Sequence, residues 1–169
     1  GEHDILLFSS AGKSIRFKES DVRSVGRTAI GVRGIRLADK DKVVSLIVAE
    51  SDDPILTATE KGYGKRTQLD EYRAQARGGS GVISIKTSDR NGQVVGAIQV
   101  TDEDEMMLIS DKGTLVRARA ADVSIIGRNT QGVTLINIAD DEALVSVAKI
   151  AETDDDEEGT EEVEVKSEE

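Results

Sequence analysis

The sequence predicts an all-β fold, a propeller-like array of three four-stranded blades followed by a disordered acidic tail. Three observations predict it. A pattern of about 50 residues occurs three times, the residues between its fixed points alternate with a strand's period of two, and no segment carries a helix period.

The repeat is anchored on Gly12, Gly62 and Gly113, spaced 50 and 51 residues apart. Four positions after each anchor stands Arg (Arg16, Arg66, Arg117), and nine after it an acid (Asp21, Glu71, Asp122). Fifteen after it comes a second Arg (Arg27, Arg77, Arg128). A Gly-Val pair follows (Gly31-Val32, Gly81-Val82, Gly132-Val133), then Ile35, Ile85 or Ile136.

In the first repeat the expected strands are about Ile5–Ser9, Ser14–Lys18, Val32–Leu37 and Val43–Ala49. The anchor Gly sits in the tight turn between the first two, where positive φ costs Gly nothing. In the second strand Ile15 and Phe17 face one way and Arg16 and Lys18 the other, the mark of a half-buried strand. Asn91-Gly92, between VISIK and VVGAIQV, is the strongest short hairpin signal in the chain. The single Pro, Pro54, precedes a repeat, where a missing amide donor does little harm. The repeats run over about 4–53, 54–104 and 105–151, so residues 1–151 form the array and 152–169 the tail.

Composition removes whole classes of function. With no Cys and one His (His3), a structural zinc site, a disulfide framework and a thiol nucleophile are excluded. No Trp, two Phe and two Tyr speak against an aromatic stacking platform for single-stranded nucleic acid, and WD40 and kelch signatures are absent. No apolar run approaches the roughly 20 residues of a membrane span. The absence of Cys fits a reducing cytosol. The chain opens with Gly rather than Met and carries no signal peptide, which suggests a piece of something longer.

Charge is partitioned. The net charge is −11, but residues 152–169 hold eleven acids against one Lys, whereas residues 1–151 hold 22 acids against 21 bases. A like-charge block with few apolar residues is expected to be disordered. Within the array the two signs segregate. Residues 12–36 carry seven bases and two acids, 62–86 five and two, and 113–137 three and one. The stretches between them are acidic. Blades stacked side by side would join the basic parts into a curved positive stripe, the electrostatic footprint of a nucleic-acid path. Arg suits phosphate because its planar fork makes paired hydrogen bonds. Without a recognition helix or aromatic platform, such a stripe would hold and bend duplex backbone with little sequence preference. The candidate contacts are Arg16, Arg27, Arg33, Arg36, Lys65, Arg66, Arg77, Lys86, Arg117, Arg119 and Arg128. A second reading stands beside this one. The acid at the ninth position could pair with the Arg at the fourth or fifteenth and simply tie a loop down. The less regular bases, Lys13, Lys18, Arg33, Lys65, Arg73 and Arg119, read singly as solvated surface, and only their segregation is informative.

VGRTAIGVRGIRL, GYGKRT and IIGRNTQGVTLI, in this order and spacing, resemble the C-terminal domain of the bacterial DNA gyrase A subunit over about residues 4–151. The resemblance implies a β-pinwheel, a disc of usually six four-stranded blades that exchange strands with their neighbours, of which three repeats are about the last half. It implies a basic rim that wraps duplex DNA within a type II topoisomerase that introduces negative supercoils with ATP hydrolysis. The implied partners are the gyrase B subunit plus a second A subunit in an A2B2 complex, in the bacterial cytoplasm on the chromosome. ATP and magnesium would belong to other regions or to the partner subunit, so no cofactor is expected in this chain. The family's Q-R-R-G-G-K-G box is absent. Its nearest echo, Gln75-Ala76-Arg77-Gly78-Gly79-Ser80-Gly81, lacks one Arg and the Lys. The C-terminal domain of the topoisomerase IV A subunit is the alternative within the same class, and a propeller scaffold for a protein partner is the alternative outside it. As a hypothesis, the acidic tail competes with DNA for the rim and tunes wrapping; the other reading is a solubilising extension.

No catalytic group stands out. Tyr63 and Tyr72 are the only candidates for a Tyr nucleophile, and Tyr72 aligns with Val22 and Val123, an apolar position. Gly62-Tyr63-Gly64-Lys65 fails the phosphate-loop spacing, and Asp102 to Glu105 lack the Gly of a calcium loop. The chain is expected to be a DNA-handling portion of an enzyme without a catalytic site of its own.

Overall fold

The computed structural model describes residues 1–150. The expectation of disorder for residues 152–169 therefore lies outside the described residues. Eleven short strands and three single 3-10 turns make up the regular structure. In the first repeat β1 (Asp4–Ser9) and β2 (Lys13–Lys18) form a hairpin around Gly12, whose φ is +81°. β3 (Val43–Ala49) pairs with the other side of β1. The second repeat has the same arrangement with β4 (Ile55–Thr59), β5 (Tyr63–Thr67) and β7 (Val94–Gln99). The third has it with β8 (Glu105–Ser110), β9 (Leu115–Arg119) and β11 (Leu144–Lys149).

The remaining strands cross between repeats. β6 (Val82–Ile83) of the second repeat pairs with β2 of the first, Val82 opposite Ser14 and Ile83 opposite Lys13. β10 (Val133–Thr134) of the third pairs with β5 of the second. The sheets are thus β3-β1-β2-β6, β10-β5-β4-β7 and β11-β8-β9. Strand exchange, which the family resemblance implied, is the organising feature of the fold.

Two expectations are corrected by it. Residues 32–37 form no strand, since no sheet among the described residues pairs with them, and the third sheet has three strands, since no segment among the described residues pairs with the free edge of β9. Asn91-Gly92 is a turn but not a hairpin, since β6 and β7 on either side of it lie in different sheets. The buried Asn91 holds that turn together, donating to the Lys86 and Gln131 carbonyls and accepting from the Ser88 amide.

The apolar core lies between blades. Leu6, Phe8 and Ile47 of the first repeat pack with Ile55, Leu69 and Tyr72 of the second. Leu56 and Val100 of the second pack with Met106, Leu108 and Val123 of the third. Tyr72 is fully buried, edge-on to Phe8 with ring centroids 5.8 Å apart, and its hydroxyl meets Ser84 Oγ at 3.2 Å. It is a core residue, as its alignment with two valines predicted. Each fully buried Leu or Ile contributes about 2 kcal/mol, and here that burial glues one blade to the next.

Candidate nucleic-acid interface

The basic half of each repeat is the stretch after the anchor Gly, and much of it is loop; in the first repeat that loop also exposes Val22, Val25 and Ile30. Strand exchange lays each loop against the next. The Gly78 amide donates to the Gly34 carbonyl at 2.5 Å, and the Arg36 amide to the Gly79 carbonyl at 2.8 Å. The Lys86 amide donates to the Thr130 carbonyl at 2.8 Å. Backbone hydrogen bonds therefore stitch the three basic segments into one continuous surface.

The eleven predicted cations divide into two groups on this frame. Arg16 donates to Asp4 and to the carbonyls of Leu69 (2.9 Å) and Tyr72 (3.2 Å), which belong to the next repeat. Burial alone would raise the Asp4 carboxyl, but hydrogen bonds from Lys18 and Arg16 outweigh it and hold that carboxyl below its ordinary value. Arg66 has the same role in the second repeat, donating to the Val123 carbonyl at 2.8 Å and pairing with Asp102. The fourth-position Arg is thus a forward clamp between blades. It is held by Asp4 at the start of β1 and by Asp102 just before β8, and not by the ninth-position acid.

Arg at the fifteenth position clamps backward. Arg77 donates to the Arg33 carbonyl at 3.1 Å and to the Asp21 carbonyl at 2.9 Å. Arg128 donates to the Ile83 carbonyl at 2.7 Å, which is the repeat equivalent of Arg33. The ninth-position Glu71 accepts from the Arg128 backbone amide at 3.1 Å. Lys65 is fully buried. Its ammonium donates to the Gly127 and Arg128 carbonyls (2.6 and 2.5 Å) and to Thr130 Oγ1 (3.0 Å). Burial pulls its pKa down from 10.5 to about 8. Lys65 and Arg66 are removed from solvent and Arg16 largely so. The sequence placed all three among the contacts because their charge is visible there and their burial is not.

The remaining cations face outward. Arg27, Arg33, Arg36 and Lys86 are exposed on the stitched loops. Arg117 and Arg119 are exposed on β9, Arg117 bonded to Glu105 (Nε to Oε2, 2.6 Å) and Arg119 paired with Asp122 at 3.1 Å. Arg33 and Arg36 lie beside Arg77, and Lys86 lies beside the Arg128 loop. Arg23 and Arg73, absent from the predicted set, are exposed on the same loops. The signal for them was in the sequence, since both stand eleven residues after the anchor Gly.

Beside the second and third hairpins the loop before β11 gathers the opposite charge, although Lys61 and Lys112 stand at the tips themselves. An open cleft of about 750 Å³ is lined by Glu60, Asp111, Asp140, Asp141 and Glu142, with Tyr63 beneath the Arg90 guanidinium 5.1 Å from the ring centre. The segregation of signs seen along the repeat is therefore also a segregation in space.

The DNA gyrase C-terminal domain, a beta-propeller, matches this sequence three times, at residues 3–50, 53–101 and 104–151. The chain belongs to that family. Among the relatives of this gyrase domain, the DNA gyrase A subunit of Klebsiella oxytoca is 60% identical over 94% of this chain, and that of Escherichia coli strain K12 57% over 93%. In both cases the match covers 18% of the relative, so the chain spans about a fifth of their length. A solved DNA gyrase A C-terminal domain superposes with a TM-score of 0.82 at 31% identity, over 89% of this chain and 51% of that one. The C-terminal domain of DNA topoisomerase IV superposes with 0.83 at 27% identity, over 89% and 47%. No helix among the described residues is long and apolar enough to cross a membrane.

Proposed function

We propose that this chain is the DNA-wrapping region of a DNA gyrase A subunit, holding and bending duplex DNA with little regard to sequence. The observation that carries the proposal is the stitching of three basic loops into one surface with Arg27, Arg33, Arg36 and Lys86 facing outward. An extended run of guanidinium and ammonium groups matches the spaced charges of a phosphate backbone. The acidic cleft formed by Glu60, Asp111, Asp140, Asp141 and Glu142 is unfavourable to the same backbone. The high-identity relatives, which are gyrase A subunits, favour gyrase over topoisomerase IV.

On this reading the chain works inside an A2B2 complex with the gyrase B subunit, on the bacterial chromosome in the cytoplasm. The complex introduces negative supercoils with ATP hydrolysis. The chain contributes DNA geometry and no catalytic group, and ATP and magnesium act at other regions or on the partner subunit.

The test is the affinity of the 169-residue chain for unrelated duplexes as salt is varied. Each phosphate neutralised contributes about 0.9 to the slope of log affinity against log salt. A slope of several phosphates, the same for every sequence, supports the proposal. No binding at low salt by folded protein would refute it.

A further inference from the structure

Lys65 is fully buried, yet the fold does not require a charge at its place. Three residues after the anchor Gly stand Ile15 in the first repeat and Val116 in the third, against Lys65 in the second. Ile15 is buried as completely as Lys65. An aliphatic side chain therefore fills this position in a finished seam between blades. An ammonium in its stead must leave water, and that desolvation pulls its pKa down to about 8.

The two seams differ in the loop that lies over this position. Over Ile15 runs Gly78-Gly79-Ser80, where a Cβ added at Gly79 would stand 3.8 Å from the Ile15 Cδ1. Over Lys65 runs Arg128-Asn129-Thr130, with a side chain at every position. The Lys65 ammonium donates to the Gly127 carbonyl at 2.6 Å, the Arg128 carbonyl at 2.5 Å and Thr130 Oγ1 at 3.0 Å, so it ties down both ends of the loop from below. The Thr130 carbonyl accepts the amide of the exposed Lys86 at 2.8 Å. The charged groups facing the ammonium are Glu71, which favours its proton, and Arg128, which disfavours it. Thr57, opposite it on β4, and Thr67, two residues along β5, are uncharged, and burial raises the Tyr72 phenol, which stays neutral.

We propose that Lys65 is a positioning residue for duplex DNA, its ammonium holding the 127–130 loop in the shape that presents Lys86 to phosphate. The inference rests on the DNA-wrapping reading given above. A charge buried beneath the loop is also screened less by salt than one in solvent, so its attraction for a phosphate above the loop persists where surface charges fade. Loss of the proton removes that charge and one of the three donors together. The loop then relaxes, and the phosphate contact at Lys86 weakens with it.

The test compares the 169-residue chain with Lys65→Ile, which copies the first repeat, and with Lys65→Met as a second variant. Both should keep the all-β circular dichroism spectrum. Amide hydrogen exchange has an internal control, because the Lys86 amide on the Thr130 carbonyl and the Arg36 amide on the Gly79 carbonyl are the same bond in two seams. In both variants exchange at Lys86 should quicken by about tenfold or more while exchange at Arg36 stays as in wild type. Affinity for a plain duplex at low salt and about pH 7 should fall by about tenfold in the variants. That wild-type advantage should shrink as pH is raised past 8 to about 9.5, a dependence that a merely structural role would not produce. Variants that bind as tightly as wild type, an advantage that does not change with pH, unchanged exchange at Lys86, or loss of the fold in both variants would each overturn the inference and leave the DNA-wrapping reading standing. No duplex binding by folded wild type would end both.

Discussion

Arg66 and Arg36 both lie in the basic half of a repeat, yet one belongs to a seam and the other to a surface. Arg66 is buried, with its guanidinium divided between the Val123 carbonyl and Asp102. The Arg36 side chain stands in solvent, and only its backbone amide is engaged. The difference teaches that counting charge along a repeat measures two things at once. Some of the positive charge fastens blade to blade, and the rest is left to meet a polyanion. Breaking the first should damage the fold, and breaking the second should leave the fold intact and weaken DNA binding.

The largest effect is expected at Lys65. Lys65→Ala leaves a cavity and removes the three hydrogen bonds that its ammonium makes to the Gly127–Thr130 loop, and should lower the unfolding free energy by about 3 kcal/mol. Urea denaturation checks it. Arg66→Ala should cost about 2 kcal/mol for the same reasons, whereas Arg117→Ala, at the same repeat position on the exposed β9, should stay within about 0.5 kcal/mol. Equal costs for the two would dissolve the distinction between seam and surface.

A smaller effect follows from the depressed Lys65 pKa. Below pH 8 both folded and unfolded chains hold the proton, and the full cost of burying the charge is present. Between about 8 and the ordinary 10.5 the unfolded chain binds more protons, so this group's contribution to stability rises with pH. Wild type should therefore gain stability relative to Lys65→Met between pH 7.5 and 9.5 (values chosen to bracket the titration), as read by paired urea curves. Taking the difference cancels other titrating groups such as Tyr72. An unchanged difference would mean that the buried ammonium is not penalised.

The sequence made the periodic features of this molecule readable. Anchors at fixed spacing located the hairpins, and the alternation around Ile15 and Phe17 located β2. The alignment of Tyr72 with two valines identified a core position. Partnering was not legible. Residues 32–37 and Val82–Ile83 occupy the same place in the repeat, but only the second has a neighbouring sheet to join. Asn91-Gly92 signals a turn from local backbone preference, and local preference does not say which sheet the next strand enters. The candidate interface divides in the same way. Arg33, Arg36 and Lys86 were found by their charge and are exposed, while Arg16, Lys65 and Arg66 were found by the same charge and are held in seams. Carbonyl acceptors from another repeat decide between the two outcomes, and they have no side-chain signature. Arg73 was read singly as solvated surface, and Arg23, which shares its place in the repeat, was left out with it.

The central claim, that loop-surface cations hold DNA while seam cations hold the fold, is tested most directly by Arg33→Ala/Arg36→Ala. The salt dependence of its duplex affinity should be measured beside that of the wild-type chain. The slope of log affinity against log salt should fall by about 2, near 0.9 for each lost phosphate contact, with the unfolding midpoint unchanged. A slope equal to wild type, or a loss of stability in place of a loss of affinity, would contradict the account.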